Sequence, residues 1–148
     1  MSIPQLQQNG LLPSGVHDCT IEDIRTTFTW NQHRQQLFDS FVNFLKTELR
    51  PLFPDPIYFD GSFVTDKVTP DDTDVVLDLT NAPDERKWRG LQFMKEHQTR
   101  IRSDYGVHFW VNLPGNSDFA EFFQYVGVKT ARAKGLHPLH YKGILRVA

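Results

Sequence analysis

Ile57-Tyr58-Phe59-Asp60-Gly61-Ser62, followed by Asp72-Thr73-Asp74 and the apolar run Val75-Val76-Leu77-Asp78-Leu79, is the stretch that decides the fold of this 148-residue chain. Residues 57–60 are rich in β-branched and aromatic side chains, which predicts a short strand that ends at Gly61-Ser62. The apolar run predicts the neighbouring strand, with Asp74 at its head. We therefore expect a glycine turn and a pair of carboxylates to meet across two adjacent strands.

Asp72 and Asp74 are two residues apart, and this spacing has a chemical consequence. Side chains alternate between the two faces of a strand, so both carboxylates project to the same side. Two carboxylates held close together repel each other unless a cation lies between them. Mg²⁺ is commonly held by one or two carboxylates together with phosphate oxygens of a substrate. The pair therefore predicts a site for Mg²⁺, with Mn²⁺ as the alternative, in complex with a nucleoside triphosphate.

The Gly61-Ser62 turn supplies the other half of this predicted site. Glycine adopts backbone angles that are closed to other residues, and it lets phosphate oxygens approach the main chain. Successive N–H groups in such a turn form an anion-binding concavity, to which the Ser62 hydroxyl adds a donor. We expect Lys67 and Lys142 to join Gly61 and Ser62 in binding the nucleotide.

These residues resemble the signature of the DNA polymerase β-like nucleotidyltransferase superfamily: an apolar strand, Gly-Ser or Gly-Gly, a spacer, and Asp/Glu-x-Asp/Glu on the next strand. Within it the chain looks most similar to minimal single-domain bacterial enzymes of toxin–antitoxin and anti-phage gene pairs. Residues 12–18 and 60–67 resemble one branch of that group. The resemblance implies transfer of a nucleoside monophosphate from an NTP or dNTP to a hydroxyl of a protein, an RNA end or a growing single-stranded oligonucleotide. It also implies a protein partner encoded by a neighbouring gene, as effector, toxin or antitoxin.

The superfamily usually places a third Asp or Glu on a later strand, and the resemblance breaks there. The later segment with strand character, 107–113, contains no carboxylate. We expect His108 or Asn112 to take the third position. Asn ligates a metal weakly and cannot act as a base, whereas His can be a base or a nitrogen ligand. Asp104 and Asp118, just outside the strand, are the alternatives. The predicted catalytic residues are Ser62, Asp72, Asp74, His108 and Asn112.

Two other functions fit the same pattern. The first keeps the fold but loses the chemistry, so that the protein is an antitoxin or immunity-type module that binds a partner. The second is a nucleotide-binding sensor without turnover. The absence of a third carboxylate is the best support for the first of these alternatives, whereas an enzyme remains the leading prediction.

Composition limits the remaining function classes. A chain of 148 residues with 39% hydrophobic content fits one domain, 1–148, in which we expect residues 1–11 to be flexible. The net charge of −2 argues against a dedicated binder of duplex DNA. No apolar stretch approaches membrane-spanning length and the start does not resemble a secretory signal, so we expect no membrane insertion and a cytoplasmic address.

Helical and extended patterns alternate along the chain. Thr20 and Asn31 are predicted to cap two helices, and Pro83 precedes a third. Residues 143–147 indicate a last strand, and Ser117 is predicted to cap a short aromatic helix. This order predicts a small α/β (α+β) domain with a mixed sheet covered by helices, as in a minimal nucleotidyltransferase core.

Overall fold

The computed structural model describes residues 3–114, 128–137, 140 and 142–148. Within them the chain forms a five-stranded mixed sheet. The strands are β1 Gly15–Asp18, β2 Ile57–Asp60, β3 Thr73–Asp78, β4 Val107–Asn112 and β5 Gly143–Val147. Their spatial order is β1-β5-β2-β3-β4. The fold class is therefore mixed α+β, as predicted.

The helices in the described ranges are α1 Ile21–Phe28, α2 Gln32–Phe44, α3 Asp84–Tyr105 and α4 Val128–Lys134. A π-helical turn, Leu45–Leu49, prolongs α2, and a 3₁₀ turn, Ser62–Val64, follows β2. The predicted caps are confirmed, because the Thr20 and Asn31 side chains accept hydrogen bonds from the first turns of α1 and α2. The aromatic helix predicted after Ser117 lies outside the described residues.

The strand pairing places the site. β2 is antiparallel to both β3 and β5, whereas β3 and β4 are parallel, as are β1 and β5. Residues directly opposite each other across a sheet share a face. Asp60 is opposite Asp74, and Asp74 is opposite His108, so these three side chains form a row across β2, β3 and β4.

The other face of the sheet is apolar and holds the core. Along each strand, the residues next to the polar row point to this apolar face. They belong to one cluster with side chains of α1, α2 and α3. Examples on the sheet are Phe59, Val75 and Phe109, and on α2 Phe41 and Phe44. Helices α1, α2 and α3 thus cover one face of the sheet, and the polar row lies on the opposite face.

The start of the chain packs against the domain in its described part, which begins at residue 3. Ile3 and Leu11 are buried and Leu12 is 1% exposed, which gives no support to the expected flexibility of residues 1–11. The Leu12 carbonyl accepts a hydrogen bond from Gly143 N–H, and the Gln7 and Leu11 backbones are bonded to each other. The apolar side chains among the glutamines therefore anchor residues 3–12 on the domain. Among the described residues, no helix combines the length and apolar character of a membrane span.

Candidate active site

Gly61 lies at the centre of the site, because its backbone makes room for Asp74. Its φ of +89° belongs to the region that favours glycine. A Cβ built on Gly61 would fall 2.3 Å from Asp74 Oδ2. The carboxylate therefore lies directly against the glycine turn, as the sequence spacing predicted. Any side chain at Gly61 would displace it.

Asp74 also contacts the next strand. His108 Nδ1 lies 3.3 Å from Asp74 Oδ1, and both side chains are partly buried. The parallel register of β3 and β4 brings the two residues side by side. His108 therefore occupies the position beside the acidic pair that was predicted for His108 or Asn112.

Asn112 does not reach this position. Asn112 is opposite Asp78 and lies four residues farther along β4 than His108. At roughly 3.3 Å per residue, the two positions are about 13 Å apart. His108 and Asn112 share a face of β4 but lie at opposite ends of the strand, so this geometry does not bring Asn112 to the acidic pair as predicted. Asp104 pairs with Arg100 at 3.4 Å, and Asp118 lies outside the described residues.

Asp72, just before β3, joins Asp74 on one side of the site. Its Oδ2 accepts a hydrogen bond of 3.0 Å from Arg102 Nη2 on α3. Burial and the charge of Asp74 raise the pKa of Asp72, and the charges of Arg102 and His108 oppose that rise. The two carboxylates thus repel each other, and the positive charge of Arg102 relieves part of the repulsion.

A cavity of about 480 Å³ opens beside the carboxylates. Four of the predicted site residues line it, namely Ser62, Lys67, Asp72 and Asp74. The lining mixes both signs of charge: its cations are Lys67, Arg102 and Lys134, and its carboxylates are Asp66, Asp71, Asp72 and Asp74. A highly anionic ligand alone would be repelled by the acids, whereas a metal–triphosphate complex offers groups of both signs.

Lys142 has a different place from the predicted one. Its side chain is 8% exposed, and its ammonium forms an ion pair with Asp60, whose side chain is 1% exposed. Burial raises the pKa of Asp60, whereas the Lys142 ammonium opposes the rise. Lys142 does not line the cavity and serves instead to neutralise a carboxylate next to Asp74. The predicted contact of Lys142 with nucleotide is not supported by this geometry.

Sequence reasoning missed Asp60 and Arg102 as members of the site. Asp60 ends an apolar strand immediately before the glycine, which was the available signal. Arg102 was one of several basic residues on α3. Its neighbours on that helix pair with acids elsewhere, as Arg89 does with Glu85, whereas Arg102 reaches the cavity.

The donor set fits Mg²⁺ bound together with phosphate. Among the described residues, no group of three or more His, Cys, Asp or Glu side chains is arranged to hold a metal ion. Mg²⁺ does not need one, because it typically takes one or two carboxylates and completes its shell with water and phosphate oxygens. Asp72 and Asp74 are such a pair, and both line the cavity in which a phosphate group would complete the shell.

The chain belongs to a family of unknown function, DUF6932, which it matches over residues 4–148. No curated protein and no solved structure matches it.

Proposed function

We propose that this member of the DUF6932 family is a Mg²⁺-dependent nucleotidyltransferase, which transfers a nucleoside monophosphate from an NTP or dNTP to a hydroxyl group. One observation carries the proposal: the Asp74 carboxylate lies against the Gly61 turn and shares a cavity with Asp72 and Ser62. The residue pattern that resembles nucleotidyltransferases is thus also a spatial cluster.

Each residue has a role in this proposal. Asp72 and Asp74 would hold Mg²⁺, or Mn²⁺, which when bound neutralises phosphate charge and aligns the reacting oxygens. Ser62 would donate its hydroxyl hydrogen to a phosphate oxygen, and Lys67 would pair with phosphate charge. Arg102 is the further cation that lies within reach of both the acids and the cavity. Catalysis would come mainly from positioning and charge neutralisation.

His108 would handle the proton of the acceptor hydroxyl. When Nδ1 donates to Asp74, the lone pair of the neutral ring is on Nε2. Nε2 would accept the proton as the hydroxyl attacks the α-phosphorus, and pyrophosphate would leave. This assignment gives His108 the role that the third carboxylate has in the resembling superfamily.

The biological setting follows from the resemblance alone. It favours a cytoplasmic protein in an anti-phage defence or toxin–antitoxin pair, whose partner, encoded next door, is modified or supplied with an oligonucleotide. A membrane effector or toxin in the adjacent gene would support this setting.

The direct test incubates the purified protein with each labelled NTP and dNTP and with Mg²⁺ or Mn²⁺. Acceptors are the protein itself, an RNA end and the nucleotide alone. The Asp72→Ala/Asp74→Ala double variant is the comparison, and Asp78→Ala is the matched control, since Asp78 lies on the same strand and face but bonds Thr80 at the other end. We expect product from the wild type and Asp78→Ala only. Equal product from the double variant would refute the proposal.

A nucleotide-binding module without turnover is the second candidate. The polar row across β2, β3 and β4 favours it. On one side of Asp74 the row has His108 rather than a third carboxylate, and on the other side Lys142 neutralises Asp60. Triphosphate binding that depends on Asp72 and Asp74 but yields no product would support this candidate instead.

A further inference from the structure

Arg34 is the largest charged side chain in the interior, with no exposed surface. Its guanidinium donates to four backbone carbonyls: Phe28 at 3.1 Å, Phe63 at 2.6 Å, Thr65 at 2.8 Å and Lys67 at 3.0 Å from Nε. It also stacks on the Trp30 ring, 3.6 Å from the ring centroid. Burial lowers the pKa of Arg34 to about 10, so the group stays charged at neutral pH.

Three of those carbonyls belong to the loop that joins the two halves of the site. This loop, 63–70, begins after Gly61-Ser62 and ends before Asp72. Two neighbours of Arg34 hold the same loop: Asn31 Nδ2 donates to Val68 O at 2.8 Å, and His33 Nε2 lies 2.6 Å from Pro70 O. The start of α2 therefore holds the loop at five carbonyls, those of residues 63, 65, 67, 68 and 70.

A buried guanidinium is a costly way to fill space, because removing a cation from water costs several kcal/mol. Its particular advantage is a rigid fork of donors that satisfies several carbonyls at once. A hydrophobic side chain would leave the carbonyls of Phe63, Thr65 and Lys67 without these bonds. The arrangement therefore serves the conformation of the loop.

That conformation decides what lines the cavity. Ser62, Thr65 and Lys67 all line it, and Arg34 holds the backbone of the last two directly. Thr65 Oγ1 in turn donates to Ser62 O at 2.6 Å, which links the loop to the glycine turn. Asp72 and Asp74 lie beyond the loop on β3 and its approach, and they have their own partners, Arg102 and His108.

We propose that Arg34 is a positioning residue of the nucleotide site: through the loop 63–67 it orients the phosphate-binding side chains, and it leaves the metal-binding carboxylates unaffected. The inference rests on the proposed function. Its consequence is a separation of two affinities, in which loss of the guanidinium fork weakens nucleotide binding but not binding of the metal alone.

The test compares Arg34→Lys with Arg50→Lys. Arg50 is the control, because it is partly buried and, like Arg34, donates to backbone carbonyls, those of Phe53 and Asp55, but at the other end of β2. His33→Ala is a milder variant, because it removes a different contact with the same loop, that of His33 Nε2 with Pro70 O. Binding of Mn²⁺ alone and of α,β-methylene analogues of all NTPs and dNTPs is measured at a temperature where each variant is folded. Hydrogen exchange of residues 62–70 is measured on the same samples.

We expect Arg34→Lys to weaken analogue binding about tenfold, the loss of roughly one charged hydrogen bond, and to change Mn²⁺ affinity less than about twofold. His33→Ala should act in the same direction by a smaller factor, and Arg50→Lys should change neither affinity. Exchange in residues 62–70 should accelerate only in the two loop variants. Equal analogue affinity in Arg34→Lys and Arg50→Lys, or parallel loss of metal and analogue binding, overturns the inference.

The proposed function can fail separately. If the wild type binds no analogue, the nucleotide site is refuted and the positioning role falls with it, whatever the exchange data show. If the wild type binds and Arg34→Lys does not fold, His33→Ala alone decides: unchanged analogue affinity with faster loop exchange overturns the inference.

Discussion

Asp74 Oδ2 occupies the space that a side chain on Gly61 would need, with 2.3 Å between that oxygen and an ideal Cβ. Gly61 directly follows β2, and Asp74 lies on the adjacent strand β3. Asp60, the last residue of β2, is opposite Asp74 in the sheet. The site is therefore built by a close approach that no other residue at position 61 permits.

Gly61→Ala is expected to abolish metal-dependent nucleotide binding and to destabilise the fold. The positive φ costs a non-glycine residue about 1–3 kcal/mol, and the methyl group must also displace Asp74. The free energy of unfolding and Mn²⁺ affinity measure the two effects. Gly15→Ala is the control, since Gly15 has a φ of +112° with no atom within 4 Å of a Cβ. It should lose stability from strain alone and keep its Mn²⁺ affinity.

For the Asp60–Lys142 pair, we expect the single variant Lys142→Met to lose more stability than the double variant that also removes the charge of Asp60. Lys142→Met should lower the free energy of unfolding by about 3–5 kcal/mol, because it leaves a buried carboxylate unpaired. Combining it with Asp60→Asn should recover part of that loss. Lys87→Met is the control: its partner Asp84 is exposed, so the change should be below about 1 kcal/mol. A double variant less stable than Lys142→Met alone would contradict this account.

Glu48 predicts a pH dependence of stability. Hydrogen bonds from Arg100 and Tyr105 lower the pKa of Glu48 from its usual 4.5. A lowered pKa stabilises the fold above the unfolded-state value, and the contribution is lost as pH falls through the folded-state value. Glu48→Gln should therefore be less stable than wild type at pH 7, by under about 1 kcal/mol because Arg100 is partly exposed, and the difference should shrink below pH 4.5. Unfolding with urea from pH 7 downward measures it, with Glu96→Gln as control.

Local patterns made much of the fold predictable. Alternating apolar residues indicated β2, β3 and β4, and capping residues indicated α1 and α2, because these signals act within a few residues. The contact of Gly61 with Asp74 was predictable because the glycine follows one strand and the carboxylate begins the next, and the end of one strand meets the start of the other in an antiparallel pair. Strand β1 was not predicted: Gly15–Asp18 has little strand character, and its pairing with β5 joins opposite ends of the chain.

The sequence did not reveal which charged side chains are buried. Arg34 lies in a polar stretch, residues 31–36, that is typical of a solvated helix, yet the loop 63–67 covers it. Lys142 looked like a phosphate ligand, but its ammonium is buried against Asp60. In both cases the partners are distant in the sequence, and a buried charge is tolerated only where such partners compensate its desolvation.

His108 is expected to be needed for turnover but not for binding. His108→Gln should lower the rate of nucleotidyl transfer by about 100-fold, the usual size of general-base catalysis, with analogue affinity within about twofold. His108→Asp should raise Mn²⁺ affinity, because it places a third carboxylate beside Asp74. Asn112→Asp adds the same charge on the same strand face but at the other end, and it should leave Mn²⁺ affinity unchanged. Equal gains in the two Asp variants would show that the strand position is irrelevant.

Loss of the Arg102 guanidinium is expected to change the affinity for Mn²⁺ and the affinity for a triphosphate analogue in opposite directions. In the structure its guanidinium binds Asp72 at 3.0 Å, so it competes with any cation for that carboxylate, while it also lines the cavity that would hold phosphate. Arg102→Ala should raise the affinity for Mn²⁺ alone, because a competing charge is gone, and lower the affinity for a triphosphate analogue with Mn²⁺, because a phosphate partner is gone. Arg89→Ala is the matched control, since Arg89 is about as exposed as Arg102, forms an ion pair with Glu85 on the same helix and does not line the cavity. Calorimetric titration of each variant, first with Mn²⁺ and then with analogue, separates the two effects. A structural defect would weaken both affinities. Only a rise in the affinity for Mn²⁺ together with a fall in the affinity for the analogue supports a role in which Arg102 leaves Asp72 and binds phosphate.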